Sequence, residues 1–185
     1  SISMIEGQYL DINFENQQII SMQDYKNMII KKTGALMTLA FQLPGILSGQ
    51  NEQSIKQLQK LGMIFGILFQ ISDDLLGIWG NPIKTGKSNY SDFKNNKKTY
   101  PILLSMKKFE EKDKILFNNL LSNLNNESYL LIIKILEKYK IKSDIQKECN
   151  SYLDQAIKLI TKSQLTKDSK ANIIELFKYV IERTK

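Results

Sequence analysis

The chain has 185 residues, 26 basic against 19 acidic, with no histidine and a single cysteine, for a net charge of +7. That excludes a Ser-His-Asp triad, a Cys-His nucleophile pair, an imidazole-bound zinc, a disulfide framework and a thiolate metal cage. Any catalysis has to run on carboxylates, lysines, amides and borrowed ions.

The N-terminal Ser1-Ile2-Ser3-Met4 carries neither a basic stretch nor a signal-like apolar core, and the lone Cys149 is consistent with a reducing compartment. Cytoplasm is the expected location, with an organelle as the alternative. From about Gln18 to Leu47, apolar residues recur at helical spacing (Ile20, Tyr25, Met28, Ile29, Leu36, Leu39, Leu43), and Pro44-Gly45 should kink or end that helix. A second helix is predicted from about Glu52 to Trp79, with Ile55, Leu58, Leu61, Gly62, Phe65, Gly66 and Phe69 on a wide buried face. Its nearly uninterrupted apolar run, Leu61 to Phe69, is far short of the ~20 residues that span a bilayer, so no membrane span is expected.

Residues 81–99 are polar, turn-rich and lysine-rich, and read as a long loop. Pro101 fits the first turn of a short helix through roughly Lys108, and amphipathic helices follow near 112–124, 127–139, 144–162 and 167–183. No stretch alternates with period two, so the fold class is all-α. The charge balance could serve nucleic acid, but Arg183 is the only arginine and the lysines are scattered. Nucleic-acid readers favour the planar guanidinium fork, so a polyphosphorylated small molecule fits at least as well.

The chemistry concentrates in Phe69-Gln70-Ile71-Ser72-Asp73-Asp74-Leu75-Leu76-Gly77, at the C-terminal end of an otherwise apolar helix. On a helix Asp73 and Asp74 diverge by about 100°, and Gln70 lies one turn before both. Such a cluster suits a hard cation, Mg²⁺ in particular, held by one or two carboxylates together with phosphates and waters. The pattern alone leaves open a solvated helix end with two ordinary acids. Downstream, Thr85-Gly86-Lys87 and Asn96-Lys97-Lys98 offer the charge and backbone donors that a diphosphate needs, without the spacing of a Walker motif. Lys31-Lys32-Thr33 adds a further cationic point. Each lysine group can equally be a solvated face.

Taken in order, Gly7-Gln8-Tyr9-Leu10-Asp11, Tyr25 to Leu36, Phe69 to Gly80, Thr85-Gly86-Lys87, Ser91-Asp92 and Asn96 to Pro101 resemble the trans-isoprenyl diphosphate synthases. The resemblance covers about Gly7 to Leu104 and implies an antiparallel helical bundle of the isoprenoid synthase type. Residues 1–185 would form the C-terminal part of that single domain, the N-terminal helices of the family being missing. It further implies a prenyltransferase that condenses an allylic diphosphate with isopentenyl diphosphate, assisted by Mg²⁺. Asp73 and Asp74 would be metal ligands, directly or through water, and Gln70 would steady the developing cation. Lys32, Lys87 and Lys97 would grip the allylic diphosphate, with Thr33 near its reacting carbons. Gln8 and Asp11 would line the cavity, and Phe69 would form apolar wall, although Phe69 and Tyr25 can equally be plain core residues.

Two departures stand out. The third Asp usual in the family's second Asp-rich motif is Gly77 here, where a loop carboxylate or water could compensate. The first Asp-rich motif and the arginine pair for isopentenyl diphosphate are absent, so the chain is expected to need an N-terminal segment or a partner chain, as a homodimer or hetero-oligomer. A non-catalytic regulatory subunit and a terpene cyclase are the alternatives.

Overall fold

The computed structural model describes residues 2–17, 19–80 and 91–183, and among them every regular element is helical. In chain order these are α1 (Ile2–Glu15), α2 (Met22–Ile29), a π-helical turn (Ile30–Gly34), α3 (Ala35–Leu47), α4 (Glu52–Trp79), the short α5 (Ser91–Lys94), α6 (Tyr100–Lys108), α7 (Glu111–Ser122), α8 (Asn126–Lys138), α9 (Ile141–Lys162) and α10 (Lys167–Glu182). Capping chemistry sets several starts. Ser21 and Asp24 form a capping box for α2, Asn51 accepts the Ser54 amide at 2.9 Å to open α4, and Thr166 accepts the Ser169 amide at 3.3 Å to open α10. Pro101 lies in the first turn of α6, where its missing N–H costs nothing.

The helix expected over 18–47 is divided. It starts after Ser21, widens to a π turn in which the Ala35 amide reaches back to the Ile30 carbonyl, and then resumes. Pro44 sits inside α3, and the helix ends only at Leu47, where Ser48 N–H closes on the Pro44 carbonyl at 3.0 Å and Gly49 turns the chain at a φ of 68°. α1 was not signalled by periodicity, because its buried positions are Gly7 and Phe14 while Ile5, Tyr9 and Ile12 are exposed.

α4 is the axis of the structure. It packs against α3 and the π turn on one side and against α9 and α10 on another. Gly62 and Gly66 make the first contact possible: a Cβ on Gly66 would lie 2.6 Å from Gly34 Cα, and one on Gly62 would lie 2.5 Å from the Met37 carbonyl oxygen. Both glycines thus serve a close approach within the chain itself. Phe65 joins α4 to α3 through Phe41 (ring centroids 5.5 Å apart) and to α10 through Phe177 (5.1 Å). Among the described residues α4 is also the one helix long and apolar enough to cross a membrane, with a mean hydropathy of 1.6 over its most apolar 18 residues, but Leu61, Leu68, Ile71 and Leu75 on it are buried in this core.

Candidate active site at the end of α4

The two adjacent aspartates of α4 occupy different environments because of helix phase. Asp74 lies three residues after Ile71 and four before Ile78, on the buried stripe, and is only 5% exposed. Both of its oxygens are engaged: Oδ2 accepts the Tyr25 hydroxyl at 2.6 Å and the Tyr100 amide at 2.8 Å, and Oδ1 accepts Gln70 Nε2 at 3.1 Å. Burial pushes the Asp74 carboxyl up to about 6; the three hydrogen bonds pull against it and the nearby Asp92 charge adds to it. Burial, and then the charge of Asp74, raise the Tyr25 phenol well above its ordinary range. Tyr100 continues the network outward, since its hydroxyl donates to Glu148 on α9, which also accepts Lys26 Nζ from α2 at 3.2 Å.

Asp73, one position earlier, stays at the edge of the helix with its side chain 39% exposed. It lines a cavity of ≈ 220 Å³ whose wall carries the carboxylates of Asp11, Asp73, Asp74 and Asp92 and the lysines Lys32, Lys97 and Lys98. Lys32, on the π turn, reaches Asp11 of α1 at 2.5 Å. Gly7 allows this, because a Cβ there would run into the Lys32 backbone and hold α1 off the turn. Thr33 donates to Gln70 Oε1 at 3.0 Å while Gln70 Nε2 donates to Asp74, so the two bonds fix the orientation of the Gln70 amide. Lys97 comes from the turn after α5, where its amide closes on the Asp92 carbonyl at 3.0 Å, Asn96 takes a left-handed φ of 50°, and Asn96 Nδ2 ties the turn to the Glu15 carbonyl at 2.8 Å. Its Nζ stands 4.0 Å from Asp92 Oδ1.

Of the residues singled out in the sequence, Lys32, Gln70, Asp73, Asp74, Lys97 and Asp11 thus meet around one cavity. Thr33 joins them through Gln70 and also lines a neighbouring cleft with Gln8, Tyr9 and Leu36. Gln8 is exposed in that cleft. Phe69 packs on Phe65 at 6.3 Å, with the Arg183 guanidinium 5.3 Å from its ring centroid. Lys31 points away to Glu6 at 2.8 Å. Lys87, with Thr85 and Gly86, lies outside the described residues. Arg183 was missed: it closes on Asp73 at 3.9 Å from the end of α10, and nothing local in the sequence signals a contact across 110 positions.

The donors suit a hard cation held jointly with a ligand. Among the described residues no three acidic or sulfur side chains form a self-sufficient cage. Mg²⁺ rarely needs one, since it keeps waters and takes one or two carboxylates plus phosphate oxygens. The half-exposed Asp73, with Asp92 and Asp11 on the same wall and lysines beside them, fits that mode of binding.

The sequence profile of the family described as polyprenyl synthetase matches residues 1–138. The chain is 37% identical over 124 residues to a geranylgeranyl diphosphate synthase of Saccharolobus solfataricus, an alignment covering 66% of this chain and 37% of that enzyme. It is 38% identical over 108 residues to a geranylfarnesyl diphosphate synthase of Aeropyrum pernix, covering 58% of this chain and 34% of that enzyme. Its fold superposes on the crystal structure of geranylgeranyl pyrophosphate synthetase from Pyrococcus horikoshii Ot3 with a TM-score of 0.87 at 28% identity, over 97% of this chain and 55% of the other. The chain thus spans well under two thirds of the length of the proteins it matches. The profile match covers well over half of the chain and includes all the residues that line the cavity, so the chain belongs to the polyprenyl synthetase family.

Proposed function

We propose that this chain supplies the second Asp-rich half of the active site of a trans-isoprenyl diphosphate synthase, which joins an allylic diphosphate to isopentenyl diphosphate. The observation that carries the reading is the convergence of Asp73, Gln70, Lys32 and Lys97, from three separate elements, on one cavity. Mg²⁺, when bound through Asp73 and the ligand's phosphate oxygens, would supply charge stabilisation for the departing diphosphate. Lys32 and Lys97 are placed to do the same from the protein side, in a partly enclosed site where such charges act strongly. As the allylic C–O bond breaks, its electron pair leaves with the diphosphate. The isopentenyl double bond then attacks the cation, and the proton lost from the adduct goes to the diphosphate. Gln70, held by Thr33 and Asp74, keeps a fixed amide dipole at the cavity wall to face the developing cation.

Asp74 has a different part in this reading. With both oxygens taken by protein donors, it joins α4 to Tyr25 and to the start of α6, and so holds the Lys97 turn against the acidic helix end. The first Asp-rich motif and the arginines for isopentenyl diphosphate would come from an N-terminal segment or a partner chain. The exposed Ile5 and Ile12 of α1 and Leu36, Leu39 and Leu43 of α3 support a covering polypeptide. The test is the intact mass and subunit composition of the protein from its native source, followed by a prenyl-transfer assay with Mg²⁺ and both diphosphates. A larger mass or a co-purifying chain, with activity, supports the reading. A lone 185-residue species without activity points instead to a regulatory subunit.

A further inference from the structure

The turn that carries Lys97 and Lys98 also walls a second cavity, of ≈ 570 Å³, formed where the start of α2, this turn, α6 and α7 meet. Small-molecule sites usually enclose about 300–1,000 Å³. Helix phase gives it an apolar lining: Leu103 and Met106 of α6 are three apart, Phe117 and Leu121 of α7 are four apart, and Ile20 and Phe93 complete the wall. Phe93 and Phe117 pack edge to face with centroids 6.3 Å apart. Lys97 and Lys98 from the turn, Lys107 from α6 and Lys114 from α7 line the same space, and among the described residues no carboxylate does. Their charges are thinly offset: Lys97 stands 4.0 Å from Asp92, Lys114 stands 3.4 Å from the exposed Glu111, and Lys98 has the neutral Asn96 Oδ1 at 2.7 Å. A bare phosphate would leave the apolar wall unused, and a neutral oil would leave the lysines unused. An apolar chain ending in an anion meets both.

We propose that this cavity is a second ligand site, for a monomeric single-chain amphiphile with a phosphate head, its chain lying between α6 and α7 and its head among the lysines. The site stands on the cavity itself, whereas its effect on the polar cavity rests on the function proposed above. Lys97 and Lys98 line both cavities. An anion in one draws these two ammonium groups from an anion in the other, so the amphiphile and the diphosphate weaken each other's binding by the same factor, as linkage requires.

The test is calorimetry on the full chain, together with any polypeptide that co-purifies with it, titrated with octyl phosphate below its micelle-forming concentration. Circular dichroism and thermal midpoints verify that the variants fold. Decyl phosphate should bind more tightly than octyl phosphate, by roughly fourfold for each added methylene, and inorganic phosphate hardly at all. Lys107→Glu combined with Lys114→Glu, and separately Met106→Glu on the apolar wall, should each weaken octyl phosphate binding by roughly tenfold or more, with Mg²⁺-dependent pyrophosphate binding held within about twofold. Saturating Mg²⁺-pyrophosphate should weaken octyl phosphate binding by about fivefold or more. No binding of octyl phosphate to the wild type, an affinity indifferent to chain length, or full affinity in the folded lysine-pair variant overturns the site. If Met106→Glu does not fold, the lysine pair alone decides. Binding to phosphatidylglycerol vesicles without binding of monomeric octyl phosphate would make the lysines a membrane contact and overturn it too. Octyl phosphate affinity unchanged by Mg²⁺-pyrophosphate overturns the coupling and leaves the site standing. A wild-type chain that binds no Mg²⁺-pyrophosphate overturns the function proposed above, while the octyl phosphate series still decides the cavity.

Discussion

The Tyr25 hydroxyl donates a 2.6 Å hydrogen bond to Asp74 across 49 positions of sequence, tying α2 to the acidic end of α4. Tyr25→Phe keeps the ring and its edge-on contact with Tyr100, whose centroid is 5.6 Å away, and removes only the donor. Asp74 would then keep two donors in a site that water barely reaches. Hydrogen bonds to charged groups contribute about 1.5–3 kcal/mol, and we expect a loss of that order in urea unfolding at pH 7. A change near zero would show that the hydroxyl is not needed to hold the carboxylate.

The all-helical fold was legible because the sequence carries its own punctuation. α4 runs from Glu52 to Trp79 as expected, and Pro101 marks the head of α6. α1 escaped because the residue that packs closest is Gly7, which has no side chain to contribute to a hydrophobic period. The π turn escaped because one extra residue in a turn hardly alters a three-and-four pattern averaged over 18–47. The division between Asp73 and Asp74 was in fact readable: Asp74 shares the phase of Ile71 and Ile78, and Asp73 that of Phe69 and Gly77. What no local pattern contains is Arg183 beside Asp73, or Asp92 on Gly77, since both depend on how distant elements dock.

Gly66 tests whether the π turn is held in place by helix contact. A Cβ there would meet the backbone of Gly34, which cannot rotate away as a side-chain tip could. Gly66→Ala should therefore destabilise by about 1–3 kcal/mol, the usual cost of overpacking a core. It should also push the turn bearing Lys32 and Thr33 off α4. Thermal unfolding measures the first effect, and weaker Mg²⁺-dependent pyrophosphate binding measures the second. An unchanged midpoint would mean that the two helices can separate without cost.

Under the proposed function, Arg183 would compete with a bound cation for Asp73. The guanidinium stands 3.9 Å from the carboxylate on a partly exposed side chain, in the range where ion pairs contribute about 0.2–1 kcal/mol. Arg183→Gln should therefore raise the apparent Mg²⁺ affinity by up to about fivefold, measured by calorimetry with pyrophosphate present. Asp73→Ala should abolish metal-dependent turnover in the reconstituted enzyme. Near-normal activity would remove Asp73 from the site.

The joint between α7 and α8 provides a pH test away from the site. Asp113 accepts Lys138 Nζ and the Tyr139 hydroxyl, each at 2.6 Å, and these two hydrogen bonds, Lys138 first, hold its carboxyl below the ordinary value of 3.8. In the window below 3.8 the unfolded chain binds more protons at this position than the folded one, so stability falls as the solution is acidified. Above 3.8 the stabilisation is fully present, and it is lost as pH drops through the folded value. Asp113→Asn should thus lower the thermal midpoint at pH 7, and the gap from wild type should narrow in scans taken below 3.8. A gap that stays constant across the whole range would show that the carboxylate's charge contributes nothing there, leaving only the shape of the side chain.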